Sequence, residues 1–174
     1  GKYIVKEIEV PTGYLLNTEQ KTVDLKYKDQ NTGVVYGSVT FENEEPTGNL
    51  TIEKTDGDTG NSNRVDKTSH HGDASLNGAV YTLYAGEKIT NVAGTVTYFS
   101  KDEQIATFTF NEYGVATIKI TNNSTPAEIS VDGNTLKGLP LGSYYAKETN
   151  VPQGYTQDTN IYTYTFSYKD NSTD

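Results

Sequence analysis

The sequence contains no cysteine, methionine or tryptophan, and basic residues are scarce. Without cysteine the chain cannot form disulfides, thiolate zinc sites or a cysteine nucleophile. The chain has only 14 Lys and Arg but 23 Asp and Glu, so its net charge is −9. This charge argues against nucleic-acid partners and against anionic membranes, because both need a basic surface. No apolar run approaches the roughly 20 residues of a transmembrane helix.

The 174 residues are nevertheless rich in strand-forming residues, including 14 tyrosines, and therefore predict a folded protein. Apolar and polar residues alternate with a period of two in residues 107–110, 116–120 and 162–168. Gly, Asn and Pro punctuate the chain often, and no capped stretch with helical periodicity exceeds about three turns. These patterns predict an all-β protein, either a sandwich or a small barrel.

Two segments read as long polar loops. Residues 57–77 hold almost no large apolar side chain, and residues 121–134 are a second polar connection in which Ile129 and Val131 predict a short strand. Long loops on a rigid sandwich often carry binding sites.

The chain matches itself at an offset of 141 residues. GKYIVKEIEVPTGY at 1–14 aligns with GSYYAKETNVPQGY at 142–155, and LKYKD at 25–29 aligns with FSYKD at 166–170. A repeat of this length indicates tandem domains, each with its own core. We therefore expect residues 1–47 to be the C-terminal half of one domain and residues 48–174 to be the next domain without its last strand.

The first copy continues into a predicted strand, Val34–Asn43, that has no counterpart in the second copy. A sandwich without its last strand exposes an unpaired edge. We therefore expect this strand, or its equivalent from a neighbouring molecule or from downstream sequence, to fill that edge. The start at Gly1 also predicts that the sequence is a piece of a longer protein.

A polar side chain ends the apolar face of each of four predicted strands. Period two places Lys54 on the face of Leu50 and Ile52, in a predicted strand from Leu50 to Asp56. Glu148 likewise ends the face of Tyr144 and Ala146, as Glu7 ends the face of Tyr3 and Val5 in the first copy, and Asn43 ends the face of Val39 and Phe41.

A buried lysine favours its neutral, nucleophilic amine, and a buried glutamic acid favours its protonated form. An asparagine carboxamide in contact with both could lose ammonia and leave a Lys–Asn isopeptide bond, with the glutamate moving the protons. The alternative interpretation is that Lys54 extends to solvent at a strand end and that Glu148 is an ordinary ion-pair partner.

The stretches GNLTIEKTD, LNGAVYTLYA, GLPLGSYYAKETNVPQGY and VTFEN resemble the Cna B-type, or SpaA-like, prealbumin-fold domain of Gram-positive surface adhesins and pilins. This resemblance implies an Ig-like β-sandwich, in tandem repeats, with a self-formed isopeptide bond. It implies that Lys54 is the reactive lysine, that Glu148 and Glu7 are the catalytic glutamates, and that Asn43 is the acceptor.

The resemblance further implies a structural stalk of a cell-wall-anchored extracellular adhesin or pilus-like fibre, which is not an enzyme beyond one self-cross-linking event. Its partners would be neighbouring repeats of the same protein, and no cofactor or metal is expected. The alternative is a module that binds host glycan or matrix protein through the loops 57–77 and 121–134.

Other sites are less well supported by the sequence. The 56–58 turn departs from a calcium-loop pattern, and adjacent His70 and His71 near Asp66 and Asp73 are more typical of a solvated loop than of a metal site. A hydrolase is disfavoured because no nucleophile–base pair with an orienting group is evident.

Overall fold

The computed structural model describes residues 1–57 and 74–173. The chain divides into two compact units, a smaller one of Gly1–Pro46 with Tyr168–Asp174 and a larger one of Thr47–Ser167. Within the described ranges the structure contains strands and turns but no helix, and hence none that could span a membrane. The predicted all-β fold class is confirmed.

The described residues form twelve strands, of which the first two belong to the smaller unit. In chain order they are β1 (Lys2–Lys6), β2 (Gln20–Asp24), β3 (Thr47–Thr51), β4 (Val80–Ala85), β5 (Ile89–Thr90), β6 (Thr97–Phe99), β7 (Gln104–Phe110), β8 (Ala116–Ile120), β9 (Ser130–Asp132), β10 (Thr135–Pro140), β11 (Gly142–Asn150) and β12 (Tyr162–Phe166).

The larger unit is a sandwich of two antiparallel sheets. Its five-stranded sheet has the order β12-β11-β4-β7-β8, its three-stranded sheet has the order β3-β10-β9, and β5 pairs with β6 in a small ribbon. One cluster of buried side chains joins the sheets, since it includes Leu50 and Leu136 from the smaller sheet together with Leu83, Phe108 and Tyr144 from the larger. Burial of these alternating residues is the main stabilising contribution.

Close contact between the sheets depends on a glycine in β3. A Cβ atom built on Gly48 would collide with the ring of Phe166, which belongs to β12. Glycine is therefore required there to let the backbone approach the aromatic ring.

The smaller unit contains the antiparallel β1–β2 hairpin, in which Tyr3 pairs with Val23. The hairpin is followed by the 33–46 segment, and here the predicted Val34–Asn43 strand is wrong, because no strand is formed. Side chains fasten the segment instead, since Lys21 Nζ donates to Thr40 O at 2.6 Å. A strand needs a partner with which to form a ladder, and among the described residues β1 and β2 pair with each other and not with this segment.

The predicted strand from Leu50 to Asp56 is also corrected. The observed strand β3 begins earlier and ends at Thr51, so Lys54 lies beyond it. Pairing with β10 ends where Thr135 faces Thr51, and the next backbone contact is the Lys54 N–H to Gly114 O at 3.3 Å. Without a continuous neighbour, residues 52–56 leave the ladder.

The remaining alternation predicts the strands well. Residues 107–110, 116–120 and 162–166 lie in β7, β8 and β12. The 121–134 connection contains the expected short strand, β9, although it includes Val131 and not Ile129. Most of the predicted 57–77 loop lies outside the described residues.

Replacing Phe108 tests the core assignment. Phe108 is fully buried between neighbouring strands, so Phe108→Ala should lower the free energy of unfolding by about 3–5 kcal/mol. Ile161, which is 64% exposed, is the control, and Ile161→Ala should change it by less than about 0.5 kcal/mol. Equal effects in chemical denaturation would contradict the assignment.

Candidate functional site

Glu148 is a buried acidic residue near the C-terminal end of β11. Tyr144 and Ala146 on the same strand face are fully buried, and Glu148 is only 4% exposed. The neighbours of β11 are β12 and β4, and Glu148 is the register partner of Tyr81 on β4. Because a buried carboxylate is costly unless hydrogen-bonded, its contacts decide what this site can do.

The loop after β11 supplies those contacts. The backbone N–H of Asp158 donates to Glu148 Oε2 at 2.6 Å, and Gln157 Nε2 donates to the Glu148 carbonyl at 3.4 Å. The loop therefore turns back over the strand that carries the glutamate.

A tight turn at the start of the loop makes this path possible. The Tyr155 N–H donates to Pro152 O at 3.3 Å, and Gly154 has a φ of +84°. The Tyr155 hydroxyl then donates to Asp56 Oδ2 at 2.6 Å, and Asp56 is itself 2% exposed. The repeated P-x-G-Y motif thus ties the loop to the chain segment that carries the lysine.

The Asp158 carboxylate accepts hydrogen bonds from two tyrosine hydroxyls. Its Oδ2 accepts hydrogen bonds from Tyr81 at 2.8 Å and from Tyr162 at 2.6 Å, and its Oδ1 accepts from the Asn160 N–H at 2.9 Å. Tyr81 lies on β4 and Tyr162 on β12, which flank β11 on either side. Their ring centroids are 6.1 Å apart.

These contacts shift the titration of the cluster. Burial alone would raise the pKa of Asp158, but hydrogen bonds from Tyr162, Asn160 and Tyr81 outweigh it and lower the pKa to about 2. Burial raises the pKa of Tyr81, and its hydrogen bond to Asp158 and the nearby charge of Glu148 raise it further. The phenol therefore stays protonated and remains a donor.

Lys54 is half-buried two residues after the buried Ile52. Its Nζ donates to the Thr55 carbonyl at 3.1 Å and lies 6.0 Å from the centroid of the Tyr155 ring. Among the described residues no hydrogen bond or ion pair joins Lys54 to Glu148. The structure thus places both residues in the larger unit, linked through the 151–161 loop and not through a direct contact.

A cavity of about 670 Å³ lies along this loop. Its walls include Lys54, Tyr155, Thr156 and Asp158, together with Tyr81 and Tyr162, whose hydroxyls donate to Asp158. It borders the 52–57 segment that follows β3, and among the described residues β3 is an edge strand of its sheet.

In the smaller unit the predicted glutamate and acceptor meet. Asn43 Nδ2 donates to Glu7 Oε2 at 2.7 Å and to the Leu15 carbonyl at 3.2 Å, and the Asn17 N–H donates to the same Glu7 oxygen at 2.8 Å. This arrangement holds the carboxamide in an orientation in which Glu7 contacts its nitrogen.

The two units build the same environment around their glutamates. The Asn17 N–H contact to Glu7 corresponds to the Asp158 N–H contact to Glu148, since both pairs differ by 141 positions. The Glu19 N–H donates to Asn17 Oδ1 at 2.9 Å, as Asn160 does to Asp158. The units differ in that Asn43 Nδ2 donates to the Glu7 carboxylate, whereas among the described residues no carboxamide donates to the Glu148 carboxylate.

Sequence reasoning missed the residues around the reactive groups. Asp158 and Tyr81 were not predicted, because no local pattern shows that distant strands converge on one carboxylate. The alignment of Asp158 with Asn17 across the repeat was the available signal.

The structure gives little information on the other candidate sites. His70 and His71 lie outside the described residues, and within those residues no cluster of three or more His, Asp or Glu side chains could hold a metal. The 121–134 loop is fastened to the sandwich, since Thr125 Oγ1 donates to the Tyr98 carbonyl at 2.7 Å. A ligand-binding role for these loops stays a prediction.

Comparison with known proteins adds a family match. A family model described as SpaA, prealbumin-like fold domain, matches residues 61–174. No curated protein matches the chain significantly.

Two solved structures align with 99% of the chain at 24% identity. The Bacillus anthracis TIE protein aligns over 23% of its own length with a TM-score of 0.54, and a streptococcal ancillary pilin aligns over 40% with a TM-score of 0.37. The chain thus spans less than half of either protein. At 24% identity, the likeness to the Bacillus anthracis TIE protein shows a shared fold.

The low pKa of Asp158 predicts a pH-dependent stability. Because its folded pKa of about 2 lies below the usual value of about 3.9, Asp158 stabilises the fold above about pH 4, and this contribution is lost as the pH falls towards 2. The difference in free energy of unfolding between the wild type and Asp158→Asn should shrink over that interval. Tyr162→Phe removes one donor and should weaken the effect. A difference independent of pH would contradict this prediction.

Proposed function

Because the chain belongs to the SpaA prealbumin-like fold family, we propose that it is a structural stalk segment of a Gram-positive cell-surface adhesin or pilus-like fibre. The observation that carries the proposal is the contact of Asn43 Nδ2 with Glu7 Oε2 at 2.7 Å in the smaller unit. The larger unit contains the equivalent glutamate, the buried Glu148, together with Lys54.

The proposed chemistry is a single amide exchange. The neutral amine of Lys54 attacks the carboxamide carbon of an asparagine, a Cγ–Nζ bond forms, and the Cγ–Nδ2 bond breaks. Glu148 takes a proton from the amine and delivers it to the departing nitrogen, which leaves as ammonia. No cofactor is needed, and no turnover follows because the product stays in the protein.

Equivalence between the units supports Asn43 as the acceptor. Asn43 contacts Glu7 and the carbonyl of Leu15, and the counterparts of these groups in the larger unit are Glu148 and the carbonyl of Thr156, which lines the cavity. An extended segment like 33–46 in the cavity would place its asparagine against both groups. We propose that a neighbouring copy supplies this segment, so that strand complementation and the Lys54–Asn43 bond join successive repeats.

Such a bond suits a stalk. It would tie a last strand to the segment that carries Lys54, so that tension could not peel the sheet open. By analogy with a disulfide, constraining the unfolded chain would add about 2–4 kcal/mol of stability. The protein would act outside the cell, anchored in the cell wall, and not as an enzyme.

Mass spectrometry tests the cross-link. Incubation of the concentrated chain should yield oligomers that survive denaturation, each lighter by one ammonia per bond than the sum of its chains. Lys54→Ala and Glu148→Ala should abolish them, because they remove the nucleophile and the proton carrier.

Lys147→Ala is the matched control. Lys147 neighbours Glu148 but faces the other side of the sheet, over the Tyr84 ring at 5.2 Å, so its oligomers should form normally. Only unmodified monomer masses in the wild type would contradict the proposed cross-linking.

A further inference from the structure

The loop between β11 and β12 contacts both sides of the proposed reaction. On one side the Tyr155 hydroxyl donates to Asp56, two residues beyond Lys54. On the other side the Asp158 N–H donates to Glu148 Oε2. The loop therefore has the means to set the distance between the two reactive groups.

The side chain of Asp158 is a further anchor of the loop. Oδ2 of Asp158 accepts the hydroxyls of Tyr81 and Tyr162, which rise from the strands on either side of β11. The two phenols thus converge from opposite sides of the strand that carries Glu148. A loop tied at only one side could slide along the strand, whereas this one is tied at both.

Comparison with the smaller unit distinguishes two functions of the position that Asp158 occupies. Asn17 occupies it there, and its N–H still holds Glu7 while its side chain closes the same turn. Lys21 stands where the larger unit has Tyr162, so the phenol anchor is absent from that side. The backbone contact to the glutamate therefore needs only the turn, and the phenols serve an additional purpose.

We infer that Asp158 is a positioning residue that, through the phenols of Tyr81 and Tyr162, holds Glu148 in place for the cross-linking reaction. The inference rests on the proposed function. Misplacement of a reacting group by about 1 Å can slow a reaction about a hundredfold, so small movements of the loop would be costly. Asp158 itself does not exchange a bond in the reaction.

The test uses the full chain carrying Asn43→Ala, so that a synthetic peptide of residues 33–46 is the sole source of the acceptor. Adduct mass against time gives the covalent rate, and a peptide with Asn43→Ala gives the non-covalent affinity. The double variant Tyr81→Phe, Tyr162→Phe removes only two hydroxyls. It should slow the covalent step about tenfold while weakening the affinity by a much smaller factor, because the cavity keeps both aromatic rings.

Two further variants separate positioning from folding. Asp158→Ala should slow the reaction at least as much, and Asp158→Asn, which keeps the turn as Asn17 does, should restore part of the rate. Tyr145→Phe is the matched control. Tyr145 lies elsewhere on β11, and the variant removes the hydrogen bond from its hydroxyl to the Asp102 carboxylate, so the rate should not change.

The outcomes distinguish the two claims. Normal adduct formation in the double tyrosine variant would overturn the positioning role and leave the proposed function standing. Parallel losses of rate and affinity would overturn it as well, because they indicate a damaged binding surface. No adduct in the Asn43→Ala chain with all other residues intact would overturn the proposed function and, with it, the role of Asp158.

Discussion

The hydrogen bond from a loop N–H to a glutamate side chain is the constraint around which both units are built. Burying a carboxyl group costs several kcal/mol unless it is hydrogen-bonded, and Glu148 is buried whereas Glu7 is half-buried. Glu7 and Glu148 are satisfied in the same way, by the N–H ten residues later. The chain must therefore turn back over the strand, and this path explains the P-x-G-Y turn, with Gly154 at positive φ.

What differs between the units is the group that meets the glutamate from the other side. In the smaller unit it is the carboxamide of Asn43, held by Glu7 and the Leu15 carbonyl. In the larger unit Thr156, the counterpart of Leu15, lines a cavity that Lys54 also lines. In the proposed function each unit would supply part of one reactive set, and the parts would be complementary between copies. A sheet edge that would otherwise risk aggregation would then become a specific junction.

The fold was largely predictable from residues, and the site only in outline. Alternation in 107–110 and 162–166 predicts strands because the side chains of a sheet reverse direction at every residue, and the same rule correctly buries Glu148 beside Ala146. It failed for 34–43, because strand formation depends on a partner that local sequence does not contain. The convergence of Tyr81 and Tyr162 on one carboxylate is likewise a product of sheet order, which period two does not encode.

The central claim is that Lys54, Glu148 and an incoming asparagine form one site. A crystal structure of the chain soaked with the 33–46 peptide tests it most directly. The account predicts an extended peptide beside residues 52–56, with continuous electron density between Lys54 Nζ and Asn43 Cγ and with Glu148 in contact with the new amide. A peptide bound elsewhere, or Lys54 pointing to solvent beside an occupied cavity, would contradict it.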